Sequence, residues 1–193
     1  MTDAQPAEPA PDVAGRLAVI GVDPGARWTA GVLRFGDYAA IGWTLGPTDV
    51  HGMPQAAALD NHDDWHAATR YLSRIVAQVE ATADYADRHR PSGVRIAVEV
   101  PRVPTGFISG RYNRIALSDW LTPQRVTAAI VAAFPGARLV LPDQLGGKGS
   151  ASDYPRELRG ARPPHWWANE TKKRERDHER AAYSVAGVAA ERP

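Results

Sequence analysis

Seven residues near the start constrain this chain more than any others. Leu17–Asp23 (LAVIGVD) is a mostly apolar run, too short for a buried helix and closed by an acid and the breaker pair Pro24-Gly25. Such a run reads as a central strand buried on both faces, which needs strands beside it and layers above and below it. Trp28–Phe35 and Tyr38–Leu45 read as two such neighbours, joined by a tight turn at Gly36-Asp37. From Asp63 to about His89 the period changes: Trp65, Ala68, Leu72, Ile75, Val76 and Val79 recur every three or four residues, the spacing of a helix. Pro91-Ser92-Gly93 breaks it, and Val94–Val100 (VRIAVEV) is a fourth strand.

The second half continues the alternation. Thr122-Pro123 opens a helix with proline at its first position, running to about Phe134. Ala137–Leu141 is a fifth strand, and a closing helix runs from about Thr171 to Ala190. The polar segment from Pro142 to Glu170 is too long for a plain connector and reads as a functional loop. Met1–Gly15, rich in Ala, Pro and acids, reads as a disordered tail, which leaves residues 16–193 as one domain. The expected fold is α/β: a mixed five-stranded sheet, three antiparallel opening strands and then parallel ones, with helices on both faces.

Composition excludes several chemistries. The chain has no cysteine, so it has no disulfide framework, thiolate nucleophile or cysteine zinc site, and any metal must be held by oxygen or imidazole. No apolar run approaches the roughly 20 residues of a membrane span, and no basic-then-apolar signal pattern opens the chain, so the expectation is a cytoplasmic protein without a membrane partner. The net charge of +1 is unevenly spread. Asp37 to Asp87 holds two Arg against eight Asp and Glu; Arg88 to Arg180 holds 17 Arg and Lys against nine. That asymmetry suits one face that meets a polyanion, and equally a clustered but ordinary solvated surface.

Three acids stand in places that are costly for a charge. Asp23 ends the first strand, and Glu99 lies between Val98 and Val100 in the fourth. Asp23 also suits a turn before Pro-Gly, and Glu99, which alternates with Ala97 and Arg95, an outward-facing position. In the closing helix Asp177 shares a stripe with Ala181, Ser184, Val185 and Val188, which predicts that it faces the protein body while Glu175 and Glu179 face solvent. A cap or an ion pair with Arg174, Arg176 or Arg180 is the alternative for Asp177. Together Asp23, Glu99 and Asp177 form an oxygen-only set suited to Mg²⁺ or Mn²⁺.

The order of these motifs resembles the RuvC-type Holliday junction resolvases, of the ribonuclease H-like superfamily. Ile20-Gly21-Val22-Asp23-Pro24-Gly25 is similar to the opening family motif, Glu99 to the second acid, and the Asp177–Ala186 stretch to the last acidic motif. The likeness runs from about Leu17 to Ala190 and points to the divergent actinobacterial and phage type. It implies a crossover junction endodeoxyribonuclease with Asp23, Glu99 and Asp177 as catalytic and metal-binding residues. It implies two metal ions bridged by Asp23, first and fourth strands side by side, four-way DNA junctions as substrate, and a homodimer matching their two-fold symmetry. The family places its last two ligands one helical turn apart. Here Arg180 stands three residues after Asp177 and Ser184 is not acidic; part of the family carries a histidine at this site, and that resemblance implies His178 as the candidate fourth metal residue, although it lies about 100° from Asp177 on the helix.

Two stretches are candidates for DNA contact. Arg102, Arg111 and Arg114 surround Phe107 and Tyr112 in a Gly-flanked loop, a pattern suited to phosphate contact and base stacking, although a Phe there also suits inward packing. Lys148 opens the second, basic stretch; Gly146-Gly147-Lys148-Gly149 lacks the Walker spacing, so no nucleotide cofactor is expected. An actin-like ATPase also ends its first strand in an Asp-x-Gly turn, but it needs two lobes and this chain is long enough for one. A nucleic-acid-binding protein with lost catalysis, and a nuclease for another branched or RNA-containing substrate, remain as alternatives.

Overall fold

The computed structural model describes residues 16–47, 65–89, 93–102, 117–146, 149–171 and 176–191. The expected tail at residues 1–15 lies outside them. In chain order the elements are β1 (Ala18–Pro24), β2 (Thr29–Phe35), β3 (Tyr38–Leu45), α1 (Trp65–His89), β4 (Val94–Glu99), α2 (Leu117–Ala133), β5 (Arg138–Val140), the one-turn α3 (Arg156–Arg159), β6 (Ala168–Asn169) and α4 (Asp177–Glu191). The strands form one sheet in the order β5-β4-β1-β2-β3-β6. β1, β2 and β3 make the antiparallel meander, while β4 joins β1, β5 joins β4 and β6 joins β3 in parallel.

Side-chain alternation divides the sheet into two packed faces. Ile20 and Val22 of β1 and Val98 of β4 are buried against Ile75 and Val79 of α1 and Val126 and Ile130 of α2. The intervening residues Val19 and Ala97, with Val140, pack against Val185, Ala186 and Ala189 of α4. A central strand covered on both faces therefore stands where the apolar run Leu17–Asp23 led one to expect it. α4 lies close to β1 because Gly21 has no side chain: a Cβ there would collide with the Ala182 carbonyl and the Ala186 backbone. The approach brings the first turn of α4 over the C-terminal end of β1.

Four expectations are corrected. The sheet has six strands rather than five: Ala168 and Asn169 pair with Trp43 and Thr44 at the β3 edge, inside the segment expected to be loop. Helix α2 begins at Leu117, so Pro123 lies within it and costs one helical hydrogen bond instead of opening it. There the Thr127 hydroxyl donates to Pro123 O at 3.0 Å and to Glu99 O at 3.2 Å, tying α2 to the end of β4. Helix α4 opens at Asp177, several residues after Thr171. Its buried residues are Glu179, Ala182, Tyr183, Val185, Ala186, Gly187 and Ala189, so of the expected stripe Asp177, Ala181, Ser184, Val185 and Val188 only Val185 is fully buried against the sheet. A helix this rich in alanine offers little polarity contrast by which to set its rotation; the gap at Gly21 sets it.

Candidate active site

Asp23 and Glu99 come together through strand pairing. β1 and β4 run parallel with Val22 beside Val98, and the two acids follow one residue later on each strand, at backbone spacings of about 4.8 Å. Both alternate with Val19 or Ala97, so both lie on the α4 side of the sheet. The Asp23 side chain is 14% exposed and Glu99 is half-buried. The Glu99 carboxyl is pushed up from its ordinary value near 4.5 to about 7, first by burial and then by the negative charge of Asp23, with the Arg102 guanidinium acting in the opposite direction.

The first turn of α4 supplies the rest of the site. His178 Nδ1 donates to Asp23 Oδ2 at 2.9 Å, with the imidazole 34% exposed. Gly25 makes room for that ring, since a Cβ would stand 3.0 Å from His178 Cε1. Asp177 is placed differently. Its side chain is 68% exposed and meets Arg180 Nη1 at 3.4 Å. It lines a cleft of about 270 Å³ whose wall also includes Glu99, Leu145, Tyr154, Arg180 and Ser184.

Glu179, expected to face solvent, is fully buried. Its carboxylate forms an ion pair with Arg176, itself 2% exposed, and accepts from Asn169 Nδ2 at 3.1 Å and Thr44 Oγ1 at 3.3 Å. Arg176 also donates to Arg162 O at 2.9 Å and Glu157 O at 2.8 Å and lies over the Trp167 ring. The network joins β3, β6 and the α3 region to the turn of α4 that carries Asp177 and His178. A second strut ties α1 to β6's exit: Arg74 pairs with Glu170, which also accepts from the Gly46 amide at 3.0 Å. The only sequence signal for the buried pair was its i, i+3 spacing, and that spacing equally describes a solvent-exposed helix pair.

Of the residues singled out in the sequence, the structure thus brings together Asp23, Glu99 and His178, and places Asp177 on the adjoining cleft wall. Arg102 is exposed beside Glu99. Phe107, Arg111, Tyr112, Arg114 and Lys148 lie outside the described residues. In the basic stretch, Trp167 is buried and its neighbour Trp166 is 40% exposed. Among the described residues, no three Asp, Glu or His side chains converge closely enough to enclose a metal ion. The donor chemistry nonetheless fits a hard divalent cation: two carboxylates, one raised first by burial and then by the charge of the other, are what such an ion would relieve. Arg180, on the cleft wall, stood in the sequence both as a departure from the expected acid and as an alternative ion-pair partner of Asp177, and it is that partner here.

No protein-family model and no curated protein matches the chain. Among solved structures it is similar to T. thermophilus RuvC in complex with Holliday junction substrate, at 17% identity and a TM-score of 0.49, covering 89% of this chain and 91% of that one. It is also similar to a Thermus thermophilus RuvC structure at 19% identity and a TM-score of 0.42, covering 89% of this chain and 92% of that one.

Proposed function

We propose that this protein is a divalent-cation-dependent endonuclease that cuts phosphodiester bonds in branched DNA, four-way junctions foremost. The observation that carries the reading is the pair of adjacent strand-end carboxylates, Asp23 and Glu99, with Glu99 pushed up to about 7 by burial and then by the charge of Asp23. The branched substrate is supported by the order of the sequence motifs from Asp23 through Glu99 to Asp177 and by the excess of Arg and Lys between Arg88 and Arg180.

Asp23 and Glu99 are the residues that would hold Mg²⁺ or Mn²⁺, with Asp177 and His178 as the further candidates and two ions as the full complement. An ion there supplies positive charge to a phosphodiester and acidifies water. His178 orients Asp23 through its 2.9 Å hydrogen bond, and Thr127 fixes the end of β4 through the Glu99 carbonyl. The protein's share is position and charge, and no covalent nucleophile is needed. A homodimer would present two such sites to one two-fold-symmetric junction.

A second reading is a DNA-binding protein that does not cut, favoured by the lack of a third converging ligand among the described residues. One experiment separates the two: a panel of end-labelled four-way junctions, flaps, RNA–DNA hybrids and linear duplexes incubated with Mg²⁺ or EDTA. Mg²⁺-dependent incision of the junction, lost in Asp23→Asn and Glu99→Gln, supports the nuclease. Junction binding with no incision in any metal supports the second reading.

A further inference from the structure

The long segment between β5 and α4 carries a cationic surface that the proposed metal chemistry does not use, and the fold holds that surface from beneath. Residues 154–167 contain only the single turn α3, yet they are fastened to the α4 side of the sheet. Leu158 and Trp167 are buried there with Ala30, Val32 and Ala182, and Trp167 fills the space that Gly42 leaves open. Two arginines, one just before α4 and one in its first turn, take four of the segment's carbonyls. Arg176 donates to Glu157 O at 2.8 Å and to Arg162 O at 2.9 Å, and Arg180 to Leu158 O at 3.0 Å and to Arg159 O at 3.4 Å. With these groups engaged, the outer surface is left to Arg156, Arg159, Arg162, His165 and Trp166, all exposed. From Tyr154 to Ala168 the only acid is Glu157.

Strand register fixes where this surface lies. Ala168 pairs with Trp43, Trp43 with Gly31 and Gly31 with Val22, so β6 stands level with the end of β1 that carries Asp23. Three strand spacings of about 4.8 Å separate β6 from β1, roughly 14 Å in all. Asp23 and Glu99 lie on the same, α4 side of the sheet. Arg180 spans the interval, since the side chain that holds Leu158 O and Arg159 O also lines the cleft beside Glu99. Resting on the nuclease reading above, we infer that residues 156–166 form a platform for one arm of the branched DNA where it leaves the carboxylate site. Arg156, Arg159 and Arg162 take backbone phosphates there, and Trp166 packs against the sugars of the same strand. Charge selects the occupant: three guanidiniums against one acid suit a polyanion, and the planar fork of Arg matches phosphate oxygens. The reach fits as well, since roughly 14 Å covers about four steps of a duplex that rises about 3.4 Å per step. A segment already fastened to the fold gives up little freedom when the arm lands on it.

The test needs no cleavage. A fluorescein-labelled four-way junction is titrated in EDTA at salt concentrations from about 50 to about 200 mM, with folding checked by thermal melts. The proteins are wild type, the pair Arg156→Gln with Arg162→Gln, Trp166→Ala, and a control pair, Arg70→Gln with Arg88→Gln. Both control residues are exposed on α1, across the sheet from the platform. The platform pair should bind roughly tenfold more weakly and lower the salt slope by about 1.8, two phosphate contacts at about 0.9 each. Trp166→Ala should bind about threefold more weakly with an unchanged slope, because it removes apolar contact and no charge. The control pair should change affinity by less than about twofold. Equal losses in the platform and control pairs would overturn the platform, since net charge alone would then account for them. Undiminished affinity and slope in the platform pair would overturn it too, in favour of an acidic protein segment as the occupant. Full affinity in Trp166→Ala would overturn the contact assigned to that indole. Should the pair not fold, Arg156→Gln and Arg162→Gln taken singly should each lower the slope by about 0.9, and an unchanged slope in both overturns the proposal. A wild-type protein that binds no junction at all defeats the nuclease reading itself, an outcome distinct from the others.

Discussion

The molecule buries carboxylates in two ways. Glu179 is fully enclosed, yet Arg176, Asn169 and Thr44 all donate to it, and Arg176 is in turn satisfied by two carbonyls. Asp23 and Glu99 are less enclosed but face each other with His178 and the exposed Arg102 as their nearby positive or donating groups. In the second arrangement burial and the charge of Asp23 raise the Glu99 carboxyl to about 7. Burial alone therefore does not mark a reactive acid; burial with unmatched charge does. The first pair is built to hold the fold, the second to receive something.

The largest effects should separate the two kinds of acid by what is lost. Asp23→Asn and Glu99→Gln should each lower Mg²⁺-dependent junction cleavage by roughly 10³-fold or more, about 4 kcal/mol of barrier, with melting temperature unchanged or raised. Glu179→Ala should do the reverse. It leaves the Arg176 cation buried and unpaired, at a cost of about 3–5 kcal/mol in denaturant unfolding. If Glu179→Ala folded with full stability and cut nothing, the two roles would have to be exchanged.

A smaller effect probes how α4 reaches the site. Gly21→Ala puts a methyl group into the Ala182 carbonyl and Ala186 backbone, for an overpacking cost of about 1–3 kcal/mol. Because α4 must lift, the His178–Asp23 hydrogen bond should loosen too, which the imidazole NMR resonances of His178 would report as a change in chemical shift. The same variant with undisturbed His178 would mean that α4 is positioned elsewhere along its length.

The contrast also explains what was legible in the sequence. β1 to β5 and α1 carry strong periods, and Asp23 and Glu99 interrupt apolar runs, so their positions followed from local pattern. β6 is two residues in a polar stretch, and only its pairing with Trp43 and Thr44, more than a hundred residues away, makes it a strand. The choice between Asp177 and Glu179 turned on the rotation of a helix whose alanines look alike on every side. Gly21 decides that rotation, and Arg176 and Asn169 decide which acid is buried, all of them tertiary facts. Pro123 misled for a related reason: a proline is a good first helical residue, but α2 takes it in its second turn.

The smallest effect is on pH dependence. In metal-free protein the Glu99 carboxyl binds its proton more tightly when folded, at about 7 against about 4.5, so stability should fall as pH rises through that window. Scanning calorimetry at pH 5 and pH 8 should show the drop in wild type and a smaller one in Glu99→Gln, and saturating Mg²⁺ should flatten the wild-type curve. Equal slopes in the two proteins would remove Glu99 as the titrating group.

The central claim is that Asp23 and Glu99 wait for a cation, and calorimetric titration of Mn²⁺ into DNA-free protein at pH 7 tests it most directly. Run in two buffers of different ionisation enthalpy, it counts protons released on binding. A carboxyl with a pKa of about 7 is near half-protonated at that pH, so wild type should release about half a proton per protein. Glu99→Gln should bind more weakly and release none. Equal Mn²⁺ affinity in wild type, Asp23→Asn and Glu99→Gln, with no proton release in any of them, would contradict the claim.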